Sequence, residues 1–218
     1  IMTVFLCFLL FLSGASALCF EALWFHQAGL ALGKSVWASS LVLAGFMGGL
    51  TLGNALVARF GARFRNGLRA YALLELAIAV TGVLIVYGLP EMGPFLGRSL
   101  RSFSTEPWLL NSIRFVIAFA ILLVPSTAMG ATLPLLVSEL TRFDASFGRV
   151  LGRLYGWNTL GAVFGVLVTE VLLIQILGIR GSAFVAASLN CFCAVAIFLY
   201  AMRVENPSQQ KIAPSRLF

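Results

Sequence analysis

The sequence predicts an all-α integral membrane protein with six transmembrane helices, and three observations support this fold class. Of the 218 residues, 60% are hydrophobic and only 11% are charged. The apolar residues collect into six long stretches, with most charges in the segments between them. The mean hydropathy is +0.98, and a soluble domain of this size could not hide that much apolar surface from water. Because lipid offers no hydrogen bonds to the backbone, helices are the expected spanning structure.

Each stretch is long enough to cross the bilayer, which takes ~20 residues for ~30 Å of hydrocarbon. The predicted spans are residues 2–25, 36–58, 68–89, 113–136, 151–177 and 182–202, and residues 203–218 form a polar cytoplasmic tail. No connection is long enough for a separate soluble domain. The longest, residues 90–112, contains three prolines and two glycines and is predicted to be irregular or interfacial.

The basic residues predict the orientation of the chain. With a cytoplasmic N-terminus, ten of the 15 Lys and Arg residues lie on the cytoplasmic side. The positive-inside rule therefore favours a multi-pass protein with both termini in the cytoplasm. The net charge of +7 does not indicate nucleic-acid binding, because no basic stretch is interleaved with aromatic residues on a soluble scaffold.

Three sets of glycines recur at four-residue spacing. Gly45, Gly49 and Gly53 lie in the second span, Gly161 and Gly165 lie in the fifth, and Gly148, Gly152 and Gly156 form a third set just before them. Small residues at this spacing allow two helix backbones to approach closely. The stripes are predicted to be helix-packing surfaces, either static or sliding as in transporters whose bundles rock against each other.

Four ionisable residues form the candidate polar membrane site. Glu170 lies deep in the fifth span, where a charge costs at least ~2.5–3.5 kcal/mol, so its carboxyl should be protonated, paired or facing a polar cavity. Glu75 lies about one turn into the third span and is expected to reach the cytoplasmic interface, with Arg69 as its partner. Glu21 and His26 lie near the outer end of the first span.

Motifs of soluble enzymes do not occur in the sequence. There is no glycine-rich nucleotide loop, no Gly-x-Ser-x-Gly turn and no His-Glu-x-x-His pair. The single histidine has no neighbouring ligands at metal-binding spacing. We therefore expect no catalytic residue, cofactor or metal site in this chain.

Several segments taken in order resemble one protein family. The most specific are residues 129–134 (MGATLP) and 155–165 (YGWNTLGAVFG), and they follow residues 20–24, 42–53 and 69–76. Over residues 14–200, the chain resembles the membrane region of bacterial membrane-bound spermidine synthase-like proteins, also described as fused major-facilitator/spermidine synthases. In that family, the membrane region resembles half of a major-facilitator bundle. It precedes a cytoplasmic aminopropyltransferase-like domain that binds decarboxylated S-adenosylmethionine and a polyamine.

The chain departs from the family pattern at three places. Residues 203–218 contain neither an adenosyl-binding glycine motif nor an acidic catalytic loop, so no catalytic residue is carried over. His26 stands where the family commonly has a basic residue. The loop 53–63 is similar to the major-facilitator signature in Arg59, Gly61 and Arg63, but Ala58 lies near the place of its aspartate.

Three functions remain open at the level of sequence. The first is a membrane module that anchors or serves an aminopropyltransferase-like domain, with a polyamine as a candidate ligand of Glu21, Glu75 and Glu170. The second is a non-catalytic subunit that packs against other membrane proteins through its glycine stripes. The third is a homodimeric half-transporter for a cationic substrate, which the missing loop aspartate disfavours. The expected partners are thus the lipid bilayer, other membrane subunits or a second copy of the chain.

Overall fold

The computed structural model describes residues 2–32, 36–61, 66–99, 107–141 and 147–205, and all secondary structure in these ranges is helical. The order of elements is α1 (Met2–Leu32), α2 (Val36–Phe60), α3 (Gly67–Ser99), α4 (Pro107–Leu140), α5 (Phe147–Val168), a π-helical turn (Thr169–Leu173) and α6 (Ile174–Glu205). The predicted all-α class is therefore confirmed. The predicted tail begins inside α6, and its residues 206–218 lie outside the described residues.

Five helices in the described ranges are long and apolar enough to cross a membrane, as expected of a multi-pass membrane protein. They are Thr3–Gly29, Ser39–Phe60, Gly67–Glu91, Phe115–Leu140 and Gly148–Arg203. The last covers 56 residues, which as a straight helix would extend about 84 Å at ~1.5 Å per residue. It is interrupted at Gly178, whose φ of 67° and ψ of 177° are not helical. Only glycine adopts this backbone conformation readily.

The segment before Gly178 runs parallel to α1. The α-carbon of Gly161 lies against the backbone carbonyl of Phe11, and that of Gly165 lies against the carbonyl of Ala15. Residue numbers therefore rise together along the two helices. The close approach of the backbones is possible because neither glycine carries a side chain.

The segment after Gly178 runs antiparallel to α1. The Ser16 hydroxyl donates a hydrogen bond to the carbonyl of Ala186 at 3.0 Å. The Cys193 thiol donates to the carbonyl of Leu9 at 3.5 Å. Residue numbers thus rise along α6 as they fall along α1, so the chain reverses direction at Gly178.

The principal helix contacts form three pairs: α1 with α5, α2 with α4, and α3 with α6. The α2–α4 pair is also parallel, since Gly49 lies against Ser126 and Gly53 against Gly130. Helices α3 and α4 are antiparallel. The amide of Gly67, at the start of α3, donates to a carboxyl oxygen of Glu139, at the end of α4, at 3.2 Å. Each pair thus combines one of the first three helices with one of the last three.

The segment 90–112 is more regular than the sequence predicts. Helix α3 continues through Pro90 and Pro94 to Ser99, and α4 begins at Pro107. The prediction of irregular structure was therefore wrong for these helical residues. Residues 100–106 lie outside the described ranges. Pro90 has no N–H to donate to the carbonyl of Val86, one helical turn earlier. The side-chain amide of Gln27 donates to that carbonyl at 3.0 Å, so α1 replaces the hydrogen bond that the proline removes.

Candidate polar sites at membrane depth

The predicted polar residues occupy three separate places in the bundle. His26 and Glu170 meet on the surface between α1 and the π-helical turn. Glu75 is fully buried within α3. Glu21 makes no hydrogen bond or ion pair to another described residue. Because Glu21 is five residues from His26, it lies ~140° around the helix and does not join that pair.

The His26–Glu170 pair links two distant parts of the chain. The imidazole Nε2 lies 3.1 Å from Oε1 and 3.2 Å from Oε2 of the carboxyl. The side chains are 40% and 45% exposed, respectively. A polar partner lowers the cost of an ionisable group at membrane depth. The pairing that the sequence left open for Glu170 is therefore with a histidine of α1.

The π-helical turn positions the Glu170 carboxyl. The amide of Ile174 donates to the carbonyl of Thr169, five residues earlier, so the turn holds one more residue than an α-helical turn. Thr169 continues the buried stripe of Gly161 and Gly165 towards α1, and Glu170 follows it immediately. Such π-helical insertions occur frequently at functional sites.

The expectation that Glu75 reaches the cytoplasmic interface was wrong. Its side chain has 0% exposure, and neither carboxyl oxygen has a hydrogen-bond partner among the described residues. Glu75 shares one face of α3 with the buried residues Tyr71, Ile78 and Gly82, at the helical spacing i−4, i+3 and i+7. This face packs against α1 and α6, so the carboxyl cannot reach the interface.

Glu75 lies in a buried polar cluster that we call the Glu75 cluster, formed by Ser13, Tyr71, Glu75 and Cys193. The hydroxyls of Ser13 and Tyr71 face the carboxyl, although neither is aligned for a regular hydrogen bond. The Cys193 thiol is also a neighbour of the carboxyl. Asn190 lies one turn before Cys193 on the same buried stripe of α6. Within the ranges that the structure describes, both amide atoms of Asn190 and the Tyr71 hydroxyl lack hydrogen-bond partners.

A cavity of about 160 Å³ lies beside this cluster, between α1, α2, α4 and α5. Its polar lining consists of Ser13, Asn54, Thr132, Tyr155 and Asn158. Ser13 belongs to both the cavity and the Glu75 cluster. Ser13 therefore links the lining of the cavity to the surroundings of the buried carboxyl.

Two of the predicted glycine stripes lie at the two parallel helix pairs. Gly45, Gly49 and Gly53 face α4, and Gly161 and Gly165 face α1. A methyl group at Gly53 or Gly161 would collide with a backbone carbonyl of the neighbouring helix. By contrast, Gly148, Gly152 and Gly156 have open space at their α-carbons.

Sequence reasoning missed Ser13, Gln27, Tyr71 and Asn190 as polar participants. Gln27 and Asn190 could have been found, because an amide side chain inside an apolar stretch requires a partner. Ser13 and Tyr71 carry no such signal, since serine and tyrosine are common in membrane helices. Only the packing of α1 and α6 against α3 brings them beside Glu75.

In the part of the chain that the structure describes, no three His, Cys, Asp or Glu side chains come together. Comparison of the chain with protein-family models, with curated proteins and with solved structures gives no match.

Proposed function

We propose that the chain is the six-span membrane module of a spermidine synthase-like protein, resembling half of a major-facilitator bundle. The module anchors or serves an aminopropyltransferase-like domain that lies outside these residues. The observation that carries this proposal is the pattern of helix pairs. Family resemblance at residues 129–134 and 155–165 supplies the link to the synthase.

The principal helix pairs follow the symmetry of an internal repeat, although the α1–α3 contact has no comparable counterpart between α4 and α6. Exchanging α1 with α4, α2 with α5 and α3 with α6 converts the α1–α5 pair into the α4–α2 pair. The same exchange leaves α3–α6 unchanged and converts α3–α4 into α6–α1, which are also in contact. The two triplets run in opposite directions. If they ran in the same direction, α1 would be antiparallel to α5 and parallel to the later part of α6. Instead, α1 is parallel to α5 and antiparallel to the later part of α6. Each six-span half of a major-facilitator transporter contains inverted triplets of this kind.

The reversal at Gly178 supports six membrane passes. It divides the 56-residue apolar helix into two segments of about 30 and 25 residues, and each can cross ~30 Å of hydrocarbon. With six passes the two termini lie on one side, and the distribution of basic residues assigns that side to the cytoplasm.

The number of passes is tested by single cysteines in a cysteine-free background. Arg180→Cys and Arg203→Cys are labelled in intact cells with a membrane-impermeant maleimide, with and without permeabilisation of the membrane. Six passes predict labelling of the first from outside and of the second only after permeabilisation. A single span over residues 148–203 would place position 180 in the bilayer and leave it unlabelled.

The synthase assignment is tested by the intact mass of the natively expressed protein. We expect a polypeptide well above 23.5 kDa, with an aminopropyltransferase-like domain following the membrane region. A native mass near 23.5 kDa would contradict the assignment. Stable co-purifying membrane proteins at fixed stoichiometry would then favour the subunit function.

A half-transporter for a cationic substrate is the second candidate, and the polar cavity favours it. The cavity lies among α1, α2, α4 and α5, and a buried carboxyl adjoins it at Ser13. Uptake of radiolabelled spermidine into proteoliposomes tests this function, with empty liposomes as the control. Uptake should fall in Glu170→Gln, and equal uptake with and without protein would exclude it.

A further inference from the structure

We infer that the Glu75 cluster is a binding site for one monovalent cation, H⁺ or Na⁺. The site lies between α1, α3 and α6. It depends only on the packing of these helices, so it stands whether or not the chain serves a synthase. Charge, ligand chemistry and access each support it.

Charge balance requires a cation at Glu75. The carboxyl is fully buried, and no Lys, Arg or His forms an ion pair with it in the described residues. An uncompensated buried carboxylate costs several kcal/mol even after the protein relaxes. One monovalent cation neutralises it, whereas a divalent cation would leave an excess positive charge in the bundle.

The neighbouring groups supply oxygen atoms rather than charges. The hydroxyls of Ser13 and Tyr71 face the carboxyl, and the unpartnered amide of Asn190 lies on the α6 stripe one turn from Cys193. Carboxylate, hydroxyl and amide oxygens are the ligands that hard cations prefer. Among the described residues, the buried Tyr71 hydroxyl has no hydrogen-bond partner, so an ion at Glu75 would satisfy an oxygen atom that is otherwise unpaired.

Access to the site limits the size of its ligand. The cavity of about 160 Å³ reaches Ser13 but does not include Glu75 among its lining residues. A dehydrated Na⁺ or a proton is small enough to move from the cavity past the Ser13 hydroxyl to the carboxyl of Glu75. A polyamine is too large to reach this buried carboxyl. Glu75 is therefore assigned to a small ion and not to the polyamine that the sequence suggested.

The test is the thermal stability of the purified protein in detergent. One series varies Na⁺ at constant ionic strength with choline, and the other varies pH from 5 to 7 without Na⁺. Binding to the folded state alone raises Tm with ligand concentration, and we expect a shift of several degrees in one series. The titratable side chains that face Glu75 are Tyr71 and Cys193, a phenol and a thiol, which are classes of group that lose their protons only in alkaline solution.

Glu75→Gln keeps the shape and removes the charge, so the ion-dependent shift should disappear. Glu91→Gln is the matched control, since this carboxyl is exposed near the other end of the same helix, and it should retain the shift. Loss of the Na⁺ response in Glu75→Gln alone identifies Na⁺, and loss of the pH response alone identifies H⁺. A wild-type protein without either response, or a Glu75→Gln protein with both unchanged, would overturn the inference.

A second variant covers the case in which Glu75→Gln does not fold. Glu75→Asp keeps the charge but withdraws the carboxylate by one methylene from Ser13 and Tyr71. The ion concentration at half-maximal stabilisation should then change about tenfold or more. An unchanged midpoint would contradict a site at Glu75.

Discussion

The imidazole Nε2 of His26 lies 3.1 Å from Oε1 of Glu170, although 144 positions separate the two residues in the chain. Two features produce this contact. The glycine stripe of α5 holds that helix parallel to α1, and the π-helical turn directs residue 170 to the surface beside α1. An exposed polar pair at membrane depth faces either lipid or a further protein surface, so it is the natural place to test for interaction energy.

The His26–Glu170 contact should give a measurable coupling energy. In a double-mutant cycle of His26→Ala and Glu170→Ala, we expect ~0.5–1 kcal/mol in the free energy of unfolding in bicelles. The small value follows from the exposure of both side chains. Glu21→Ala combined with His26→Ala serves as the control and should be additive. A coupling energy of zero for His26 and Glu170 would show that the contact does not stabilise the fold.

Alanine at Gly161 should destabilise the α1–α5 pair. The added methyl would collide with the backbone carbonyl of Phe11, and overpacking of this kind costs ~1–3 kcal/mol. Gly152→Ala in the same helix is the matched control, because its methyl enters open space; it should be neutral or stabilising by at most ~1 kcal/mol. Unfolding free energies measure both. Equal effects at the two positions would contradict the packing of the stripe.

Alanine at Gly178 distinguishes a chain reversal from a continuous helix. At φ 67° and ψ 177°, a side chain is strained by ~1–3 kcal/mol, so Gly178→Ala should lower the free energy of unfolding. In a continuous helix the same change would raise it, since alanine is the better helix former. Gly88→Ala provides the comparison, because Gly88 lies in α3 with open space around it.

The hydrogen bond from Gln27 to the carbonyl of Val86 should matter only while Pro90 is present. Gln27→Leu leaves that buried carbonyl without a donor, which costs ~1–3 kcal/mol. In a Pro90→Ala background, the alanine N–H can bond to the Val86 carbonyl along the helix, so Gln27→Leu should cost less. The measurement is the change in unfolding free energy in both backgrounds. The same cost in both would show that the amide does not compensate for the proline.

The sequence is sufficient for the helical class and for the place of the break at Gly178, which falls between the predicted spans 151–177 and 182–202. It does not show which face of a helix is buried. In a membrane helix nearly every position is apolar, so periodicity gives no sign that Glu75 faces inwards. Nor can it show that α1 supplies a donor to α3 at Pro90, because that contact depends on tertiary packing. The meeting of His26 and Glu170 likewise requires the pairing of α1 with α5.

The pairing of early helices with late ones has a consequence for biosynthesis. Helix α2 ends at residue 60 and its main partner α4 ends at residue 140, about 80 residues later. At ~5–20 residues per second, the ribosome needs roughly 4–16 s to complete that partner. During this interval the glycine face of α2 stays with lipid or the insertion machinery. Assembly of the α2–α4 pair is therefore a late event in translation.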